Sequence, residues 1–238
     1  MKLITTSWDD GHGLDFKLAE LLTKYNLQGT FYIPQFNVEH AVMPADKIMM
    51  LAKKFEIGGH SLHHVTLDVK DKYFWEEEIS GSFEWLKELL GYDPVSFCFP
   101  KGTYNNTIIA AVLKSGYKLA RTTELLSIEG RDSIGLIPTT LQVYRHNSFT
   151  YIKHLIKRRR WMNLIKWLNT YSLNDLLKLT EAYINEIIKH DGCFHLWGHS
   201  WEIEEYDLWE KLENIFKIIS NISEFRYIQN KEILHYSV

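Results

Sequence analysis

Cysteine is scarce: the 238 residues contain two, Cys98 and Cys193. Each falls inside a run expected to be a strand, so both read as small buried hydrophobes of a reduced, cytoplasmic protein rather than parts of a disulfide framework. No run approaches the roughly eighteen apolar residues of a membrane-spanning helix. The opening "MKLITTSWDD" lacks the apolar core of an export signal and turns acidic by Asp9. Nor is there an excess of one charge. The net value is −3, which excludes a global field that would draw nucleic acid or anionic lipid. Internal repeats, low-complexity linkers and breaks in composition are absent too, so residues 1–238 read as one domain.

What is present is an ordinary globular balance, 45% hydrophobic and 24% charged, which rules out a disordered chain. Aromatic residues reach 14%, which suits either a sugar-stacking surface or a large core. Short β-rich runs alternate with amphipathic helical patterns. Lys2–Trp8 reads as a strand, and Leu14, Leu18, Leu21, Leu22 and Tyr25 then mark one helix face. "GTFYIP", "EIGGHS", "SFCFP", "YKLART" and "LIPTTLQVY" read as strands two to six. Helices are expected at "PADKIMMLAKKF", from "DKYFWEEE" to a C-cap at Gly91, and over Asn105–Ser115. Further helices are expected near Thr150–Leu168, Leu173–His190 and Tyr206–Ser220, with strands at "CFHLWG" and "EFRYIQ". Repeated strand–helix units predict parallel strands with helices outside, and their number favours a tight (β/α) barrel over an open sheet.

A barrel gathers its chemistry at the C-terminal ends of its strands. Polar residues fall there: Asp9 and Asp10 after the first strand, "HSLHH" after the third, "PKGTYN" after the fourth, Arg121 ending the fifth, and "GHSWE" after the late "CFHLW". The interior is expected to be apolar, with Trp8 in it. On one helical turn, His60 pairs with either His63 or His64 on one face. Two imidazoles and a carboxylate make a common site for zinc or a similar divalent ion. The second aspartate is then free to act as a base on water that the ion acidifies. His199 is the candidate proton donor. His195, in alternation with Trp197, reads as a buried histidine.

These segments, "SWDD", "EIGGHSLHH", "FCFPKGTYN", "ARTT" and "HLWGHSWE", resemble the polysaccharide deacetylase family, the NodB-like group also called carbohydrate esterase family 4. They follow the family's order. The resemblance implies an α/β fold, a distorted (β/α)₇-type barrel, and metal-dependent hydrolysis of an N- or O-acetyl group on a sugar, most simply N-acetyl. It implies Asp9 as catalytic base, Asp10, His60 and His64 as metal ligands with His63 as spacer, and His199 as general acid. The ion implied is Zn²⁺, with Co²⁺, Ni²⁺ or Mn²⁺ as alternatives. The family's third motif, Arg-x-Pro-Tyr, here reads Cys98-Phe99-Pro100-Lys101. Its arginine is replaced by Cys98, while the oxyanion-binding N–H persists at Lys101. Arg121 is expected to supply the lost charge to Asp9 from another direction.

Around this set, His12 either lines the site or caps the next helix. Trp201 and Glu202 flank the pocket, with Glu202 able to orient His199 or cap a helix start. Lys157–Arg160 reads as a solvated helix face, or as a contact for an anionic substrate. Arg145 and His146 lie at the reactive face without a motif. The expected substrate is an acetylated sugar or glycan precursor, nucleotide- or lipid-linked. Alternatives are an amidohydrolase of cyclic amides or ureides on the same scaffold, and an inactive carbohydrate-binding relative.

Overall fold

A computed structural model describes residues 1–67, 72–145 and 175–236. The expected helix near Thr150–Leu168, the Lys157–Arg160 run and His146 lie outside the described residues. In chain order the elements are β1 (Lys2–Asp9), α1 (Asp15–Lys24), β2 (Thr30–Ile33), α2 (Ala45–Ala52), β3 (Glu56–Gly59), α3 (Lys72–Leu90), β4 (Ser96–Cys98) and α4 (Asn106–Ser115). They continue with β5 (Leu119–Arg121), β6 (Leu136–Ile137), β7 (Leu141–Gln142), α5 (Leu176–His190), β8 (Gly192–His199), α6 (Ser200–Glu205), α7 (Trp209–Ile219) and β9 (Arg226–Tyr227). Among the described residues no helix is long and apolar enough to cross a membrane.

Among the described residues the named strands all pair in parallel, as the strand–helix alternation predicts. The sheet runs β6-β5-β4-β3-β2-β1-β8-β7, with β9 paired to the start of β1. It curls into the distorted (β/α) barrel that the strand count implies. The end strands β6 and β7 belong to the single run "LIPTTLQVY", which was expected to form one strand. Pro138 has no N–H for a sheet ladder, and the chain there leaves β5 for the far edge of the sheet, beside β8. Pro138–Thr140 thereby joins the two ends of the sheet.

Strand alternation puts two chemistries on β1. Ile4 and Trp8 face the helices, and Trp8 meets Phe216 of α7 edge-on at 6.2 Å. Trp8 is therefore buried in the layer between sheet and helices, which corrects its expected place inside the barrel. Inside, the barrel carries a polar column, contrary to the apolar interior expected. Glu56 accepts from Thr30, Ser96 and the Lys231 N–H, Asn230 joins Thr5 to Tyr32, and Ser7 meets His195. Each group is buried and hydrogen-bonded, so the column avoids the cost of desolvated, unpaired polar atoms. His195 donates from Nδ1 to the Pro138 carbonyl and takes the Ser7 hydroxyl at Nε2, 2.8 Å away. Burial, with the Arg121 charge next, lowers its pKa to about 3, so it stays neutral, as its alternation with Trp197 suggested. The expected helix over Tyr206–Ser220 forms as α7 but starts later, at Trp209: the short α6 stops at Glu205, and Asp207, with φ 51°, breaks the helical path between them.

Candidate active site

The barrel's register sets the site. Asp9, the last residue of β1, pairs with His199 at the end of β8 and with Tyr32 of β2. Asp10 follows in a left-handed conformation, φ 79°, which few non-glycine residues adopt. His60 and His64 do meet, with ring centroids 5.0 Å apart, but no helix brings them together. They bracket an irregular turn in which Ser61 (φ 60°) and His64 (φ 52°) are both left-handed. The helical turn that the spacing suggested is therefore absent, and an irregular turn sets the approach of the two rings.

Asp10 Oδ1 lies 3.1 Å from His64 Nε2 and 3.5 Å from His60 Nε2. It is buried and makes no well-directed hydrogen bond to either. His60 donates from Nδ1 to the Cys98 carbonyl at 2.9 Å, which leaves the Nε2 lone pair pointing inward. Two imidazole nitrogens and a carboxylate oxygen thus converge, all within 4.8 Å of one another. An orphaned carboxylate oxygen between two imidazole edges fits a divalent cation of the borderline class. Supporting contacts surround the three residues. Trp201 Nε1 donates to Asp10 Oδ2 at 2.8 Å, and Glu39 Oε2 stands 3.5 Å from His64 Nδ1. His40 stacks on Trp201 at 4.1 Å. Burial pushes the Asp10 carboxyl up, but the two histidines outweigh it and hold it well below the usual range.

Asp9 is served differently. Arg121, fully buried, donates from Nη2 to Asp9 Oδ2, and its guanidinium lies 4.5 Å from the Trp197 ring and 5.5 Å from the Tyr32 ring. Cys98 Sγ approaches the same oxygen at 3.7 Å, while Oδ1 has no hydrogen-bond partner. Cys98 and Arg121 are register partners in β4 and β5, so the guanidinium reaches Asp9 from the strand beside the one that carries Cys98. Burial raises the Asp9 pKa, but Arg121 first, then His60 and His199, bring it below the usual carboxylate range.

His199 Nε2 lies 3.8 Å from Asp9 Oδ2, and its Nδ1 donates to Glu202 Oε2 at 2.5 Å. Burial disfavours its charge, yet the Glu202 hydrogen bond and the Asp10 carboxylate raise its pKa to about 9. Asp9, Asp10, His60, His64, His199, Trp201 and Lys101 all line one cavity of about 300 Å³, with Glu39, Phe99, Leu125 and Trp197 completing much of its wall. Lys101 is left-handed, φ 55°, and its ammonium pairs with Glu39 at 2.9 Å. His12 lies outside that lining: its Nδ1 accepts the Leu14 N–H at 3.2 Å, the turn role of its two readings. Arg145 donates to the Tyr206 carbonyl and also stays outside the cavity lining. Glu39 escaped sequence reasoning because it sits in a loop with no periodic signal; its one cue was a position just beyond a strand end.

Comparison with known proteins agrees with this geometry. Residues 1–120 match the polysaccharide deacetylase family. The Bacillus subtilis (strain 168) protein YxkH, provisionally named a polysaccharide deacetylase, is 23% identical over 126 residues, 52% of this chain. The match spans 45% of that relative's length. A Mycobacterium smegmatis structure provisionally described as a polysaccharide deacetylase shares the fold at TM-score 0.69 and 14% identity, over 98% of this chain and 90% of the other. A family 4 acetyl xylan esterase from Clostridium thermocellum, solved with a cobalt ion, does so at TM-score 0.61 and 16% identity, over 98% and 91%. With a family match over half its length and the same barrel throughout, this chain belongs to the polysaccharide deacetylase family.

Proposed function

We propose that the chain is a metal-dependent hydrolase that removes an acetyl group, in the first place an N-acetyl group, from a sugar or glycan precursor. The observation that carries this reading is the division of two adjacent carboxylates. Asp10 turns toward two imidazoles, and Asp9 turns toward a buried guanidinium with one oxygen left over. Asp10, His60 and His64 would hold the ion. Zinc fits this donor set, with Co²⁺, Ni²⁺ and Mn²⁺ as alternatives, and a cobalt ion in the xylan esterase relative supports the same class. When bound, the ion supplies a positive charge that acidifies water and polarises an acyl oxygen.

Asp9 takes a proton from the attacking water at Oδ1, while Arg121 keeps it ionised and oriented. The Lys101 N–H, carried by a left-handed residue at the cavity wall, donates to the developing oxyanion, a contact worth about 3–4 kcal/mol in other enzymes. His199 gives its Nε2 proton to the departing nitrogen or oxygen as the bond to the acyl carbon breaks, and acetate leaves. Glu202 holds His199 in the tautomer and charge state that this requires. A panel of N-acetylated sugars, O-acetylated sugars and cyclic ureides, assayed for acetate release or ring opening, tests the reading. Acetate from the N-acetylated members is expected. Ring opening without acetate release would move the chain to the amidohydrolase alternative.

Titration of His199 provides a second check. In the metal-free protein its ring is expected to titrate near about 9, and Glu202→Gln is expected to bring that value down, both followed by NMR. The folded value is raised, so the linked stability is complete below the unfolded value of 6.5 and is lost as pH rises through about 9. A wild-type ring that titrates at the ordinary histidine value would remove Glu202 from this role.

A further inference from the structure

We infer that Glu78 of α3 is a positioning residue for the metal site: it clamps the turn that brings His60 and His64 together. This rests on the ligand assignment proposed above and adds a residue from an element that contributes nothing to the cavity wall. The turn from His60 to His64 is irregular, and two of its non-glycine residues, Ser61 and His64, hold left-handed backbone conformations. Such a turn persists only where its surroundings over-determine it. Phe36 holds one side, its N–H donating to the Leu62 carbonyl at 2.8 Å, and α3 holds the other.

Glu78 is buried, and the described contacts of its carboxylate go to one residue. Oε2 accepts the His63 backbone N–H at 2.9 Å, and Oε1 accepts from His63 Nδ1 at 2.6 Å. The Glu78 backbone carbonyl accepts the Leu62 N–H at 3.1 Å. One helical turn further along α3, Gly81 leaves the slot that Leu62 fills, since a Cβ there would meet Leu62 Cδ1 at 2.4 Å. From α3, three hydrogen bonds and one steric slot therefore grip residues 62 and 63, the two that lie between Ser61 and His64. Neither Glu78 nor His63 lines the cavity, so neither is placed to touch substrate. Burying a carboxylate is costly unless it is well paired. Here the pairing goes to the spacer between two ligands, and the physical return is the spacing of His60 and His64. Removing the clamp lets the turn relax toward right-handed backbone, which separates the imidazoles before any ion arrives.

The test is zinc affinity, measured by competition with a chromophoric chelator, for the wild type, Glu78→Ala, His63→Ala, the double variant and Glu78→Gln. Glu78→Ala and His63→Ala are each expected to weaken zinc binding about 10- to 100-fold, the range found for outer-shell partners. The double variant is expected to be no weaker than either single one, because both remove the same clamp. Glu78→Gln still accepts the His63 N–H and is expected to recover part of the affinity. Lost turnover in these variants should return as zinc is added. Wild-type zinc affinity in Glu78→Ala, with only a lower Tm of the metal-free protein, would overturn the inference and leave a purely structural role. His63 has a half-exposed side chain, so His63→Ala decides the matter if Glu78→Ala does not fold. A wild type that binds no zinc would overturn the ligand assignment itself, and the clamp with it.

Discussion

Asp10→Ala is expected to purify without its divalent ion and to lose at least about 10³-fold in kcat/KM, because the positive charge at the acyl oxygen disappears with the ligand. The wild type treated with a chelator should fall to the same level and recover on addition of zinc or cobalt, whereas Asp10→Ala should not recover. The reason lies in the donor geometry. Among the described residues, Asp10 Oδ1 is the carboxylate oxygen that both His60 Nε2 and His64 Nε2 approach, at 3.5 and 3.1 Å. Without it, two imidazoles remain, too few to hold a borderline ion against water. The fold should survive, since Asp10 sits in a turn past the end of β1, and its side chain meets Trp201 and the His60, His64 and His199 rings rather than the barrel's packed layers. Metal analysis of the purified variant, beside its acetate-release rate, checks both halves. A variant that keeps its ion and its rate removes Asp10 from the ligand set.

Arg121→Ala should act on a different quantity. Zinc content is expected to stay at the wild-type level while kcat falls by about 10²- to 10³-fold, most of what a positioned base contributes. Asp9 would remain buried with its charge uncompensated, and loss of one partner of a buried pair costs about 3–5 kcal/mol in stability. Its carboxyl pKa would rise as burial goes unopposed by the largest of its balancing charges. Asp9→Asn alone should lower kcat by about 10²- to 10⁴-fold. Adding Arg121→Ala to it should cost little more in rate, since the two residues act as a unit. Arg121→Lys is not expected to rescue the rate. The guanidinium carbon lies over the Trp197 and Tyr32 rings, and a more strongly hydrated ammonium does not suit that buried aromatic site. Urea midpoints, zinc content and kcat for the four variants settle the point. An unchanged kcat in Arg121→Ala would leave Asp9 without a partner of consequence.

The parallel barrel was legible because hydrophobic periodicity and strand–helix alternation are local signals. The residues at its C-terminal rim could be read off as the polar residues that end apolar runs. The failures share one cause. "LIPTTLQVY" carries one continuous strand pattern, yet closure of the sheet sends its two halves to opposite edges, and no local period encodes that. Trp8 was readable as buried, but which face of β1 meets the helices depends on sheet curvature. The polar column from Glu56 to Ser7 was hidden because each member looks like an isolated polar residue until the barrel brings its partners together. Glu39 and Glu78 fall into the same class, one in a loop and one on a helix otherwise read for its caps.

By itself, the sequence determined which functional groups this protein has available: two carboxylates ending the first strand, a histidine cluster after the third, and a late histidine with a glutamate three residues on. Their order and residue types follow from local chain chemistry, in which neighbours along the chain set strand ends and turns. Tertiary structure alone decided how they are paired. Arg121 reaches Asp9 across 112 residues of chain, and Trp201 reaches Asp10 across 191. Contacts at such separations are set by how a curled sheet brings strand ends to one rim. That curvature is a property of the packed whole, where burial strengthens each charge pair and penalises every unpaired one.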